Sequence, residues 1–231
     1  MSSKKKQKVK STNEILKILC EAVKTTLVST TCADIKYAST FIVTNKTCLR
    51  PDIGCFILFE GGFSGLVAMN FSAAAALEIY QAYYLSMGMP EEELARYHTS
   101  PDVADAMGEL MNQSVGKFQV MLKNEVGVGV TINQPKMVAL NQAMKISLET
   151  EVDRPQFRRV EFRTAANHLF YLETTLEKVE FVLDSLDRSE AQPFDVEDLL
   201  KKGGKTGPSS EEGNGRDASG ADEEILRQLG L

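Results

Sequence analysis

Asp105, Glu109, Asn112 and Gly116 are the residues whose types and spacing could do chemistry together. On a helix wheel of about 100° per residue with Asp105 at zero, Glu109 falls near +40°, Asn112 near −20° and Gly116 near +20°. Val103, Met107, Leu110, Ser114, Phe118 and Met121 fall opposite, roughly between 140° and 220°. The helix is therefore expected to anchor itself by an apolar stripe and to carry two acids, an amide and a glycine along one outward ridge. Polar residues opposite a core are ordinary, and periodicity by itself reads such a face as solvated. It leaves Gly116 without a reason, because glycine is the poorest ordinary helix former. A surface for close approach is one answer.

Other chemistries find little support. The cysteines Cys20, Cys32, Cys48 and Cys55 contain no C-x-x-C, and neither His98 nor His168 stands at ligand spacing from them, so no structural zinc site is expected. Reduced cysteines acting as small apolar fillers are the expectation. Neither histidine has a second histidine or triad partner nearby in sequence, so neither supports a nucleophilic mechanism. Gly127-x-Gly129 lacks a third glycine and follows a helix, so it is no dinucleotide fingerprint. Gly204-Lys205-Thr206 has Leu199 where a phosphate loop needs its first glycine, and it has no flanking strand or helix.

The elements that must position the ridge follow from patterning. A helix is predicted from about Ser11 to Leu27, on the period of Ile15, Leu19, Ala22 and Thr26. Alternating runs Ile35–Thr44, Cys55–Glu60 and Phe63–Phe71 read as strands, with Gly61-Gly62 as a hairpin turn. Ser72 reads as the N-cap of a helix through Met87, stopped by Gly88 and Pro90. Ser100-Pro101-Asp102 starts the ridge helix, which should run to about Asn124. Val128–Ile132, Met144–Thr150, Val160–Thr164 and Leu169–Thr175 are further strands, the last entering a helix through Leu186. The class is α+β, a mostly antiparallel sheet covered by helices.

Of 231 residues, 26 are Lys or Arg and 32 are Asp or Glu, a net charge of −6. That balance argues against general nucleic-acid binding, which needs a basic surface to neutralise phosphates. No stretch approaches the roughly 20 apolar residues that span a bilayer, and no signal-peptide core follows the basic start, so a cytoplasmic soluble protein is expected. Residues 1–10 read as a basic flexible N-terminus, most simply solvated, and 11–188 as the domain. Residues 189–231 read as a flexible Gly/Ser/acidic tail carrying two short apolar-acidic segments, Phe194–Leu200 and Ile225–Leu231.

Asp105-x3-Glu109-x2-Asn112-x22-Pro135 matches the signature [Asp/Ser]-x3-Glu-x2-Asn-x22-Pro of the CheC/CheX/FliY family of response-regulator phosphatases. The surroundings also resemble CheX: a hairpin with Glu60-Gly61-Gly62 and Gly65, a helix starting at Ser72, and a motif helix reading Gly108-Glu109-Leu110 to Gly116-Lys117. The likeness spans roughly residues 11–175. A single motif copy makes the chain more similar to CheX than to CheC, since Asn13 and Glu14 in the first helix are adjacent rather than spaced.

The resemblance implies chemotaxis or related two-component signalling, by hydrolysis of the aspartyl phosphate on a CheY-type receiver domain. Asn112 would hold a water in line with phosphorus, and Glu109 would pair with a receiver lysine. Asp105 and Gly116 join Glu109 as partner-contacting positions, although for Asp105 stabilisation of the first helical turn through the macrodipole is the favoured role over docking. Pro135 would shape the strand end near the motif helix. No cofactor or metal of the chain's own is implied; Mg2+ would arrive with the receiver. The resemblance further implies a homodimer. The rival expectation is a non-catalytic module that binds a receiver or joins a flagellar or chemoreceptor assembly.

Overall fold

The computed structural model describes residues 8–140 and 143–183, within the first of the chain's two units, Met1–Leu186. The sequence-predicted tail 189–231, with both apolar-acidic segments, lies outside the described residues.

The elements run β1 (Lys8–Ser11), α1 (Thr12–Thr31), β2 (Lys36–Tyr37), β3 (Ile42–Val43), β4 (Thr47–Leu49), β5 (Ile53–Gly61), β6 (Gly65–Phe71) and α2 (Ala73–Ser86). After a short 3-10 turn at Glu91–Glu93 come α3 (Pro101–Val126), β7 (Val130–Ile132), β8 (Lys136–Ala139), β9 (Ile146–Leu148), β10 (Gln156–Arg163), β11 (Leu169–Leu176) and β12 (Glu180–Leu183). The main sheet is antiparallel in the order β2-β10-β11-β6-β5-β7, with β3 also on β10 and β8 also on β5. This is the α+β arrangement expected of the sequence.

The period of β6 explains why its residues are all buried. Val67, Met69 and Phe71 join the large core that also takes in Leu19 and Val23 of α1, Ala76 of α2, and Met107, Leu110 and Phe118 of α3. Leu66 and Ala68 point to the opposite face and meet Leu49 and Leu140 in a second, smaller cluster. The second face is closed by a ribbon of β4 paired with β9. A sheet covered on both sides reads as a near-continuous apolar strand at its centre.

The ribbon is fastened by a buried ion network. Glu173 on β11 is fully buried, and its Oε1 accepts from Arg50 Nε at 2.9 Å and Arg159 Nε at 3.1 Å. Its Oε2 accepts from the Cys48 backbone N–H at 3.0 Å. Two guanidinium groups and a backbone donor replace the water this carboxylate loses, which is the condition for keeping a charge inside.

Several boundaries differ from expectation. The first helix runs on to Thr31, the strand predicted from Val160 begins at Gln156, and β4 was not anticipated. The run Ile35–Thr44 is not one strand but two short ones, β2 and β3, on β10. The helix expected to continue towards Leu186 does not form over β12, which pairs antiparallel with β1. The cause is non-local: Thr12 N–H donates to Val179 O at 3.2 Å and Val179 N–H returns a bond to Thr12 Oγ1 at 3.0 Å, drawing the two ends of the domain together. Lys8 and Lys10, read as part of a flexible terminus, belong to this ribbon, and Lys10 Nζ lies 3.1 Å from Glu125 Oε2 on α3.

Candidate functional site

α3 has defined ends. Ser100 precedes Pro101, whose missing N–H falls where a helix has no partner to offer. Gly127 closes the helix with φ +78, a left-handed conformation suited to glycine, and returns its N–H to Lys123 O at 3.0 Å. Val103, Ala106, Met107, Leu110, Met111, Ser114, Val115, Phe118, Leu122 and Val126 are buried, a wider stripe than the wheel suggested, while Met121 is only half-buried. Ser114 is tolerated inside because its hydroxyl donates back to Leu110 O at 2.7 Å.

Opposite that stripe, Asp105, Glu109 and Asn112 are exposed and Gly116 is half-buried. The four predicted site residues therefore share one outward ridge. Asn112 lies three residues beyond Glu109, so the two side chains are neighbours over adjacent turns. Glu109 Oε1 accepts from Gln113 Nε2 at 2.8 Å, which limits where the carboxylate can swing. Asp105 lies past the first turn, where the macrodipole has faded; the first-turn acid is Asp102. The macrodipole role considered for Asp105 therefore falls to Asp102. Asp105 acts electrostatically on α2 instead. Burial, then the phenols of Tyr80 and Tyr83 and the carboxylates of Asp102 and Asp105, push the Tyr84 phenol above its ordinary pKa.

Gly116 has no internal reason to be glycine. Its φ is not positive, and a methyl built on it would meet nothing within 4 Å beyond the helix's own backbone. Alanine there would stabilise the helix by about 0.5–1 kcal/mol. The space left open belongs to a cleft of about 230 Å³, lined by Asn112, Val115, Gly116 and Gln119 of α3 and by Ile132, Asn133 and Gln134. Ile132 ends β7, and Asn133 and Gln134 follow it in the turn towards β8 that ends at Pro135. Gln119 Nε2 donates to Val130 O at 2.7 Å, tying helix to strand. Asn133 Oδ1 accepts from Leu58 N at 2.9 Å and Asn133 N donates to Leu58 O at 3.2 Å, fixing the turn on β5. Sequence reading found Pro135 but not Gln119, Asn133 or Gln134; the Asn-Gln pair just before that proline was the available signal.

Cys20, Cys48 and Cys55 are buried as expected, whereas Cys32, at the left-handed cap of α1, is exposed and does not act as an apolar filler. Burial pushes the Cys55 thiol up to about 12, and burial with the Glu21 carboxylate does the same to Cys20. Such thiols are inert. His168 Nδ1 sits 2.8 Å from Glu78 Oε2, which the Thr164 hydroxyl also approaches, while Ala166 N–H donates to Glu78 Oε1 at 2.9 Å. The carboxylate thus pins the β10–β11 turn to α2. Among the described residues, no three or more His, Cys, Asp or Glu side chains converge to hold a metal ion, and no helix is long and apolar enough to cross a membrane.

The family model described as "Protein of unknown function (DUF3334)" matches residues 6–231. Among solved structures, the chemotaxis protein CheX from Desulfovibrio desulfuricans superposes with a TM-score of 0.58 at 20% identity, covering 71% of this chain and 99% of that one. FliY from Thermotoga maritima gives 0.53 at 18% identity, over 71% and 86%. A chain of the CheX-CheY-BeF3-Mg2+ complex from Borrelia burgdorferi gives 0.53 at 11% identity, over 71% and 97%. The chain has the fold of CheX, CheC-like and FliY chemotaxis proteins.

Proposed function

The chain belongs to the family described as protein of unknown function (DUF3334), and from the fold and the α3 ridge together we propose that it binds a phosphorylated CheY-type receiver and speeds hydrolysis of its aspartyl phosphate. The observation that carries this reading is the joint exposure of Glu109 and Asn112 on one ridge of a helix whose other side is locked in the core. A CheX in complex with CheY, BeF3 and Mg2+ among the proteins of this fold lends it support.

The chemistry asks little of the chain beyond position. Water adds to phosphorus in line, the bond between phosphorus and the aspartyl oxygen breaks, and carboxylate and inorganic phosphate result. Stabilisation of the moving phosphoryl group comes from the receiver and its Mg2+, so the missing contribution is an oriented nucleophile. The Asn112 carbonyl can accept from that water while its NH2 donates elsewhere, and a carboxamide does this at any physiological pH. Asn112 is suited to it because no hydrogen bond within the described residues occupies its side chain. Glu109 supplies a carboxylate for a receiver lysine, an ion pair formed only on docking.

The test is decay of a radiolabelled phosphorylated receiver with and without the chain, beside binding of the beryllofluoride-activated form. Faster decay with binding is the expected result. Binding with unaltered decay would select the non-catalytic module, and neither effect would end the receiver reading.

A further inference from the structure

The cleft beside Asn112 has a lining that specifies its occupant. Asn112, Gln119, Asn133 and Gln134 are neutral carboxamides, Val115 and Ile132 add an apolar floor, and no charged side chain lines the cleft. Such walls lack the counter-charge that captures a free phosphate or an ion. They match the paired N–H and C=O of a peptide, because each carboxamide offers both a donor and an acceptor. Gln119 and Asn133 each have one arm held inside the fold, through Nε2 to Val130 O and through Oδ1 from Leu58 N. Gln119 Oε1 and Asn133 Nδ2 make no further hydrogen bond among the described residues, leaving an acceptor and a donor on opposite walls. At about 230 Å³ the cleft is smaller than an ordinary small-molecule pocket, which spans about 300–1,000 Å³. Gly116 is the position where a side chain would intrude, although neither its backbone nor its neighbours exclude one.

We propose that this cleft seats an extended main-chain segment of the receiver, held by peptide hydrogen bonds to Gln119, Asn133 and Gln134 and admitted by the bare backbone at Gly116. The inference rests on the receiver reading of α3 and adds a second contact line to it. Glu109 and Asn112 meet the phosphorylated pocket; the cleft fixes the receiver's rotation about α3, and so aligns Asn112 with phosphorus. Gln134 is then a positioning residue, acting on the reaction through the partner's placement.

The test compares Gly116→Gln, Gly116→Ala and Gln134→Ala with wild type, using beryllofluoride-activated CheY-type receiver for binding and phosphorylated receiver for turnover. Gly116→Gln should weaken binding about tenfold or more, and Gln134→Ala about fivefold, the loss of one hydrogen bond. Both should lower kcat as well as raise KM, because a receiver that is free to rotate about α3 also leaves Asn112 misaligned with phosphorus. Gly116→Ala should raise the Tm by about 2–4 °C while lowering affinity, a pairing that a purely structural glycine would not give. Wild-type KM in Gly116→Gln and Gln134→Ala, with wild type itself active, would overturn the cleft's role and leave the receiver reading standing. Absence of any receiver binding or accelerated decay by wild type would overturn both.

Discussion

α1 and α3 are two long amphipathic helices packed against each other over the same sheet, and they differ in what their outward faces have left to give. Both send apolar residues into one core, Leu19 and Val23 from the first, Leu110 and Phe118 from the second. On α1 the outward polar groups are largely engaged at home. Glu21 lies 3.9 Å from Lys24 and accepts from the Tyr37 hydroxyl at 3.0 Å, Asn13 accepts from Arg158 at 3.4 Å, and Glu14 accepts from the Ser11 N–H at 3.0 Å at the helix start. On α3, among the described residues, Asn112 has no partner and Glu109 is met only by Gln113, and a glycine opens a cleft alongside. Amphipathicity explains both helices; the uncommitted polar groups of α3 are what the proposed receiver contact would draw on.

That contrast can be broken where the two helices should behave alike. Phe118→Ala and Leu19→Ala each empty a fully buried site, and both should lower unfolding free energy by about 2–5 kcal/mol. Denaturant unfolding checks this, and a mild effect from either would mean that helix is not anchored as described. The contrast sharpens where the helices should differ. Glu109→Lys should weaken binding of an activated receiver by about tenfold or more, since a like charge would face the partner's lysine. Lys17→Glu, on the exposed face of α1, should change it less than about twofold, as for a charge outside the contact. Equal losses from the two substitutions would make the effect one of general charge and would cost α3 its special status.

Much of this was readable before the fold was known, and the reasons are local. The N-cap at Ser72, whose hydroxyl accepts from Ala75 N–H at 3.2 Å, and the start of α3 at Pro101 depend on a few adjacent residues, so short-range signals suffice. The outward ridge followed from the helical period. What escaped was set by distant pairing. β12 has helix-like spacing but is claimed by β1, from the far end of the domain. β4 is a three-residue strand identified by its partner β9 rather than by its own pattern. Glu173, alone among apolar and threonine residues, hinted at a buried charge, yet its partners Arg50 and Arg159 come from two other segments. The cleft likewise exists only because a turn 20 residues or so along the chain returns to the motif helix, as loops between sheet strands and helices commonly do.

The central claim is that one side chain on α3 orients the attacking water, and Asn112→Ala reads it most directly. At saturating variant, with receiver binding and Tm preserved, the account predicts that acceleration of aspartyl-phosphate decay falls by about a hundredfold or more, the cost of a misplaced nucleophile. Decay accelerated equally by wild type and Asn112→Ala would contradict it.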